Sequence, residues 1–224
     1  MKQILVRILT AASVATCLTA SVRAATFDDI QFWVGSGANR AALVIDWGDG
    51  KSAESLLWGY RWDGAANGLA MFQAVVSADP RLFAHLGNYG WGTAVQGIGY
   101  DLNGSGGFAV APALAFDAGG LALSTSPDDA RAASDPADHW LEGWNSGFWA
   151  YYLKDSGNDP WASAMVGAAD RVLADGNWDG WRFAPGFVGP APAEPSPAPV
   201  PEPATAALLT LGALALAWQR RARS

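Results

Sequence analysis

The sequence predicts a mainly β (α+β) protein: a single antiparallel β domain of about 160 residues with one or two inserted helices. Three observations carry this. Leu56, Trp58, Tyr60 and Trp62 alternate with Leu57, Gly59 and Arg61, a period of two that puts four large side chains on one face of a strand. Residues 41–47 form a short apolar run closed by Asn39-Arg40 on one side and Gly48-Asp49-Gly50 on the other, as in a strand buried on both faces. Helical spacing is clearest at Leu69, Phe72, Val75 and Val76, between the N-cap candidate Asn67 and the stop Asp79-Pro80.

Taken in order, residues 27–34 read as a first strand, with Phe27, Ile30, Phe32 and Val34 among polar neighbours, ending at Gly35-Ser36-Gly37. The runs at 41–47 and 56–62, joined through the Asp49-Gly50 turn, form an antiparallel meander. After the helix, Leu82, Phe83 and Leu86 read as one further helical turn. Residues 95–102 are a strand in which Gly97 and Gly99 share a face, so that a backbone, a ring or a ligand can come close there. Residues 103–107 are a flexible turn, and residues 108–136 give one or two weak strands and a surface loop. Strands are expected at 147–154 and 178–183. The proline-rich stretch 188–200 reads as an extended linker outside the core.

The two ends have a different character. Lys2 and Arg7 precede an apolar region over residues 8–20, and Val22-Arg23-Ala24 fits the cleavage pattern of a secretory signal peptide, which places the cut after Ala24. Cys17 is the single cysteine; Val14-Ala15-Thr16-Cys17 resembles a lipoprotein box, with Thr16 poorly suited to its position. A body starting at Ala25 has no thiol for disulfides or metal ligation. At the other end, residues 204–218 are uncharged and span roughly 22 Å as a helix, short of the ~30 Å hydrocarbon core. Arg220, Arg221 and Arg223 follow and hold that end on the cytoplasmic side, leaving the body outside.

Pro201-Glu202-Pro203, the apolar helix and Arg220-Arg221, in that order, resemble a PEP-CTERM sorting signal. The resemblance covers residues 200–224 alone. It implies contact with the membrane through the C-terminal helix, recognition by an exosortase and removal of the tail. It also implies delivery to the envelope or extracellular matrix of an exopolysaccharide-producing Gram-negative bacterium. The domain boundaries follow: signal peptide 1–24, tryptophan-rich body 25–187, linker 188–200 and sorting signal 201–224.

Charge restricts the partners of the body. With Lys2, Arg7, Arg23, Arg220, Arg221, Arg223, Glu194 and Glu202 set aside, 8 basic and 19 acidic residues remain, a net charge of −11. Nucleic acid is excluded as a partner, because phosphate neutralisation needs a basic face. A neutral or cationic ligand suits the body better than an anionic polysaccharide.

No catalytic motif stands out. The body contains two histidines, His85 and His139, and two glutamates, Glu54 and Glu142, and no spacing singles out a carboxylate pair for glycoside hydrolysis. Asp175, Asn177 and Asp179 occupy positions 1, 3 and 5 of a half calcium loop with Gly180 at 6, but position 12 is Gly186 rather than Glu. Residues 101–106 are a fainter copy. A tight turn explains the same residues. The tryptophans are the stronger signal: eleven of the 12 lie in the body, and their rings and N–H groups are hard to bury all together in one small domain. Trp58, Tyr60, Arg61, Trp62, Trp144, Trp149, Trp178 and Trp181 are therefore the candidate binding residues, with exopolysaccharide the leading ligand and a glycan-acting enzyme a further alternative. Phe148 to Tyr152, Arg171 to Gly176 and Trp181-Arg182-Phe183 are similar to the end of transcobalamin-like domains, which implies a corrinoid as another ligand.

Overall fold

The computed structural model describes residues 24–124 and 131–201. The expected signal peptide (apart from Ala24), the apolar run 204–218, and Glu202, Pro203, Arg220 and Arg221 lie outside the described residues.

The protein is mainly β, with one α-helix among the described residues. In chain order, a 3-10 turn at Phe27–Asp29 is followed by β1 (Trp33–Gly35), β2 (Asn39–Asp46), β3 (Ser55–Trp62), α1 (Gly68–Ala78), β4 (Leu82–Tyr89) and β5 (Gly92–Tyr100). Next come β6 (Val110–Ala111), β7 (Leu121–Ser124), β8 (Ala132–Ala133), β9 (His139–Glu142), β10 (Gly147–Lys154), β11 (Ala162–Ser163), β12 (Trp178–Pro185) and β13 (Ser196–Pro197). A larger sheet runs β1-β3-β2-β12-β10-β11, with β13 also on β3. A second runs β7-β4-β5-β9, and β6 and β8 make a small pair.

β2 is the spine of the larger sheet. Its alternation sends Ala41, Leu43 and Ile45 into the main core and Ala42 and Val44 into a smaller cluster with Ile30, Leu57 and Trp178. All five β2 residues are fully buried, as the apolar run predicts. β3 pairs antiparallel with it from Asn39↔Trp62 to Asp46↔Ser55, and Leu56, Trp58 and Trp62 join the main core with Tyr60 packed beside them. Gly59 leaves a gap on the opposite face that the Trp33 ring fills: a Cβ there would lie 2.3 Å from Trp33 Cε3. The main core lies between the two sheets and takes Met71, Phe72, Val75 and Val76 from α1, which Asn67 caps by accepting the Ala70 N–H at 2.8 Å.

Four expectations need correction. Residues 27–34 do not form one strand, because Asp29 accepts from Thr26 N and Oγ1 at 2.7 Å each and curls the segment into the 3-10 turn before β1. Residues 82–86 belong to β4, not to a helical turn. Leu82, Ala84 and Leu86 face the main core, and a register shift between His85 and Leu86 marks the strand. The pairing is not uniformly antiparallel: β1 and β13 join β3, β12 joins β2 and β7 joins β4 in parallel. None of these pairs is joined by a tight hairpin, so no turn imposes an antiparallel direction. The proline-rich stretch does not stand clear of the core: Ser196 and Pro197 pair with Leu56 and Leu57, and Ala198 is fully buried.

The glycines of β5 admit rings, as their shared face suggested. A Cβ on Gly97 would lie 2.7 Å from Trp140 Cζ2, and one on Gly99 2.4 Å from Phe108 Cζ. Phe83, Phe108, Phe116 and Trp140 form an aromatic cluster on this side of the second sheet.

Candidate functional site

The tryptophans divide by burial. Trp47, Trp58, Trp62, Trp140, Trp149, Trp178 and Trp181 are buried, whereas Trp91 is 68 % and Trp144 37 % exposed. Burial of so many indoles works partly because the N–H groups find acceptors. Trp47 donates to Ile98 O at 3.0 Å, Trp58 to Asp79 Oδ2 at 3.1 Å and Trp149 to Leu141 O at 3.0 Å.

Two turns place the exposed rings together. Trp91 sits between Gly90 and Gly92 at the tip of the β4–β5 hairpin, where Gly92 has φ +136°. Trp144 follows Gly143 in the β9–β10 turn, which is tied to β5 by Gly143 N donating to Gln96 O at 3.0 Å. Tyr89 completes a triangle with them. Its ring is 5.0 Å from Trp91 with the planes 6° apart and 5.3 Å from Trp144 at 32°, while the two indoles are 6.3 Å apart at 26°. Gln96 Nε2 donates to the Tyr89 hydroxyl at 2.6 Å and fixes the ring.

Beside this trio is a groove of about 230 Å³ lined by Trp91, Thr93, Ala94, Val95, Gly143, Trp144, Phe148, Trp149, Tyr151, Val166, Gly167, Ala168 and Trp181, with no charged side chain among them. Of the sequence candidates, the structure thus brings Trp144, Trp149 and Trp181 to one place. Trp58, Trp62 and Trp178 are core residues elsewhere. Tyr60 stacks on Trp62 at 5.6 Å, and Arg61 lies over the Trp33 ring at 4.6 Å. Sequence reasoning missed Trp91 and Tyr89. The signal was Tyr89-Gly90-Trp91-Gly92, a large ring flanked by two residues that mark a turn.

Under the groove, Tyr151 donates its hydroxyl to Asp179 Oδ2, and Arg171 Nε lies 3.6 Å from Asp179 Oδ1. Burial pushes the Asp179 carboxyl up to about 6 against the opposing effects of Tyr151 and Arg171. Burial, then the nearby Asp179 charge, pushes the Tyr151 phenol up. The half calcium loop disperses its oxygens: Asp175 Oδ1 accepts the Arg40 N–H at 2.9 Å, Asn177 Oδ1 accepts the Ala174 N–H at 2.8 Å, and Asp179 serves Tyr151. In the fainter copy Asp101 accepts from Ser105 N and Gly106 N at 3.0 and 2.7 Å. Among the described residues no cluster of three or more His, Cys, Asp or Glu is placed to hold a metal ion.

Both imidazoles are buried away from the groove. His139 Nδ1 is 2.9 Å from Asp49 Oδ2 and Nε2 3.1 Å from Ala53 O, with the ring stacked on Trp47 at 4.5 Å. Burial raises the Asp49 carboxyl, but the hydrogen bond and charge of His139, helped by Lys51, hold it below its ordinary value. His85 Nδ1 meets Glu142 Oε1 at 2.7 Å, and Arg131 donates to the same oxygen at 2.8 Å. These are interior polar ties that orient β4, β9 and the 49–53 turn.

Residues 199–221 match the family profile of the PEP-CTERM protein-sorting motif. Comparison with curated proteins and with solved structures finds no match. The motif makes this an exported protein sorted to the cell envelope, with a tail processed by an exosortase. Among the described residues no helix is long and apolar enough to cross a membrane.

Proposed function

We propose that the body is a non-catalytic binding module of the cell surface that holds exopolysaccharide on Tyr89, Trp91 and Trp144. One observation carries this reading: two solvent-exposed indoles, nearly parallel, at the mouth of an uncharged groove. An exposed aromatic patch is unfavourable in water and marks a contact surface. Sugar rings present flat C–H faces that stack on indole, and the turn backbones and the Thr93 hydroxyl oxygen, whose proton goes to Asn88 Oδ1 at 2.9 Å, can meet hydroxyls. Trp149 and Trp181 support the groove from below, so they shape the surface without being its outer contact.

The test is tryptophan fluorescence of the form spanning residues 25–201, titrated with host exopolysaccharide and separately with cobalamin, the latter corrected for absorbance. Trp91→Ala and Trp144→Ala should each abolish the polysaccharide response and leave the unfolding midpoint nearly unchanged, since exposed substitutions usually shift stability by less than about 0.5 kcal/mol. Trp149→Ala should instead destabilise the fold by about 3–5 kcal/mol. A response that survives both surface substitutions rejects the platform, and release of reducing ends from the polysaccharide would make the protein an enzyme.

A further inference from the structure

The stretch expected to be a free linker is fastened to the body at successive points. Ala193 N donates to Asp46 Oδ2 at 2.6 Å, and Arg182 holds the same carboxylate. Pro192 covers Gly180, where a Cβ would lie 2.9 Å from its Cγ. Ser196 and Pro197 pair with Leu56 and Leu57, and Ala198 N donates to Leu57 O at 2.9 Å. Pro199 O accepts from Arg81, whose guanidinium is clamped by Asp79 at 2.9 and 3.0 Å. Proline cannot donate to a ladder, so such a stretch can join a sheet only at its edge. Here Ala198 supplies the backbone N–H to the edge of β3, through Leu57 O, while Ala193 donates to the Asp46 side chain at the end of β2.

This docking places the sorting motif close to folded protein. Pro199 is the last residue with a described hydrogen bond to the body, and the uncharged run begins at Ala204, so only Val200 to Pro203 separate them. The five steps from Pro199 to Ala204 reach at most about 18 Å. The sorting motif calls for this run to meet the membrane during processing, and a docked strap then leaves little free backbone for a processing enzyme to seize.

We propose that the docked strap, residues 189–199, controls removal of the sorting tail: cleavage waits for the strap to leave the β3 edge. The bond broken is a backbone amide between the strap and the apolar run. With water as the acceptor, the carbonyl carbon gains a hydroxyl group and the nitrogen departs with a proton as the amine of the released tail. The body supplies no group to this step; it restricts access. Local opening of an edge segment held by a few hydrogen bonds is a low-energy event, so the fold sets a rate without blocking maturation.

The experiment follows conversion of the full-length chain by pulse-chase in a host that contains an exosortase. Ala198→Asp puts a charged group into a fully buried position of the main core and frees the strap, at a cost in stability to the body. A Gly/Ser spacer of about eight residues inserted between Val200 and Pro201 keeps the strap docked and supplies reach. Each should speed conversion on the order of tenfold, as expected when a local opening is removed from the rate. The two together should be no faster than either alone. Unchanged conversion of the spacer variant overturns the proposal, whether or not Ala198→Asp folds. So does a gain from the spacer that persists in full on an already freed strap.

Discussion

Trp144 and Trp149 stand five residues apart and meet opposite ends: one ring is 37 % exposed, the other buried with its N–H on Leu141 O. Composition could not separate them, because an indole's position depends on which turn carries it and which carbonyl lies within reach. Local sequence did contain a clue, since rings beside Gly90, Gly92 and Gly143 lie in turns, whereas Trp58 and Trp181 lie within strands. Asp179 was legible as an oxygen donor in a turn-like loop but not as a buried acid, because its burial depends on Tyr151 from β10 and Arg171 from the preceding loop. It gives a pH prediction. Unfolded Asp titrates near 3.9, and the folded group near 6, so between about pH 4 and 6 the folded state binds the extra proton. Stability from this group is present below the lower value and is lost as pH rises through the upper one. The wild type should therefore lose melting temperature between pH 4.5 and 7, and Asp179→Asn should lack that fall. Asp49 acts in the opposite sense: its stabilisation is lost as pH falls below its ordinary value, outside this window. Parallel melting curves for the two proteins would reject the buried-acid assignment.

At the scale of elements, α1 and the β2–β3 hairpin were the most readable: α1 and β3 have unambiguous periods, and β2 is a short apolar run with a clear turn at each end. β4 was misread because both of its faces are apolar: Phe83 packs on Phe108 while Leu82 and Leu86 face the main core, which hides the alternation. The parallel partners of β3 were unreadable for a different reason. β1 and β13 occupy successive parts of one edge, the first opposite Gly59 to Arg61 and the second opposite Leu56 and Leu57. No local pattern encodes the β13 pairing across about 140 residues of chain, or that of β1 with the strand after its neighbour β2. Proline richness normally argues for a spacer; here tertiary contacts override it. A body cut after Phe187 should therefore be less stable than one cut after Pro201, and should self-associate through the bared edge of β3. Urea midpoints and sedimentation of the two lengths check this. Equal midpoints with both species monomeric would restore the spacer.

For the whole molecule, charge and address were legible before any fold. The sorting motif at residues 199–221 fixes export, and the body carries 19 acids against 8 bases. The structure adds that the groove has no charged lining, so the proposed platform offers a polymer no ion-pair partner within an otherwise acidic body. Two fields then act on a polymer near the protein. Stacking and hydroxyl contacts at the trio are short-ranged and indifferent to salt, while repulsion by the body reaches about 10 Å at 0.1 M salt and shortens as salt is added. A neutral glycan feels only the first, so its affinity should stay constant from about 0.02 to 0.5 M salt. An anionic glycan of the same backbone should bind weakly at low salt and approach the neutral one as the repulsion is screened. Titrating both polymers across that range, with Trp91→Ala as the control for stacking, separates the two contributions. Affinity that falls with salt for either polymer would mean that a basic patch, and not the uncharged aromatic groove, makes the contact.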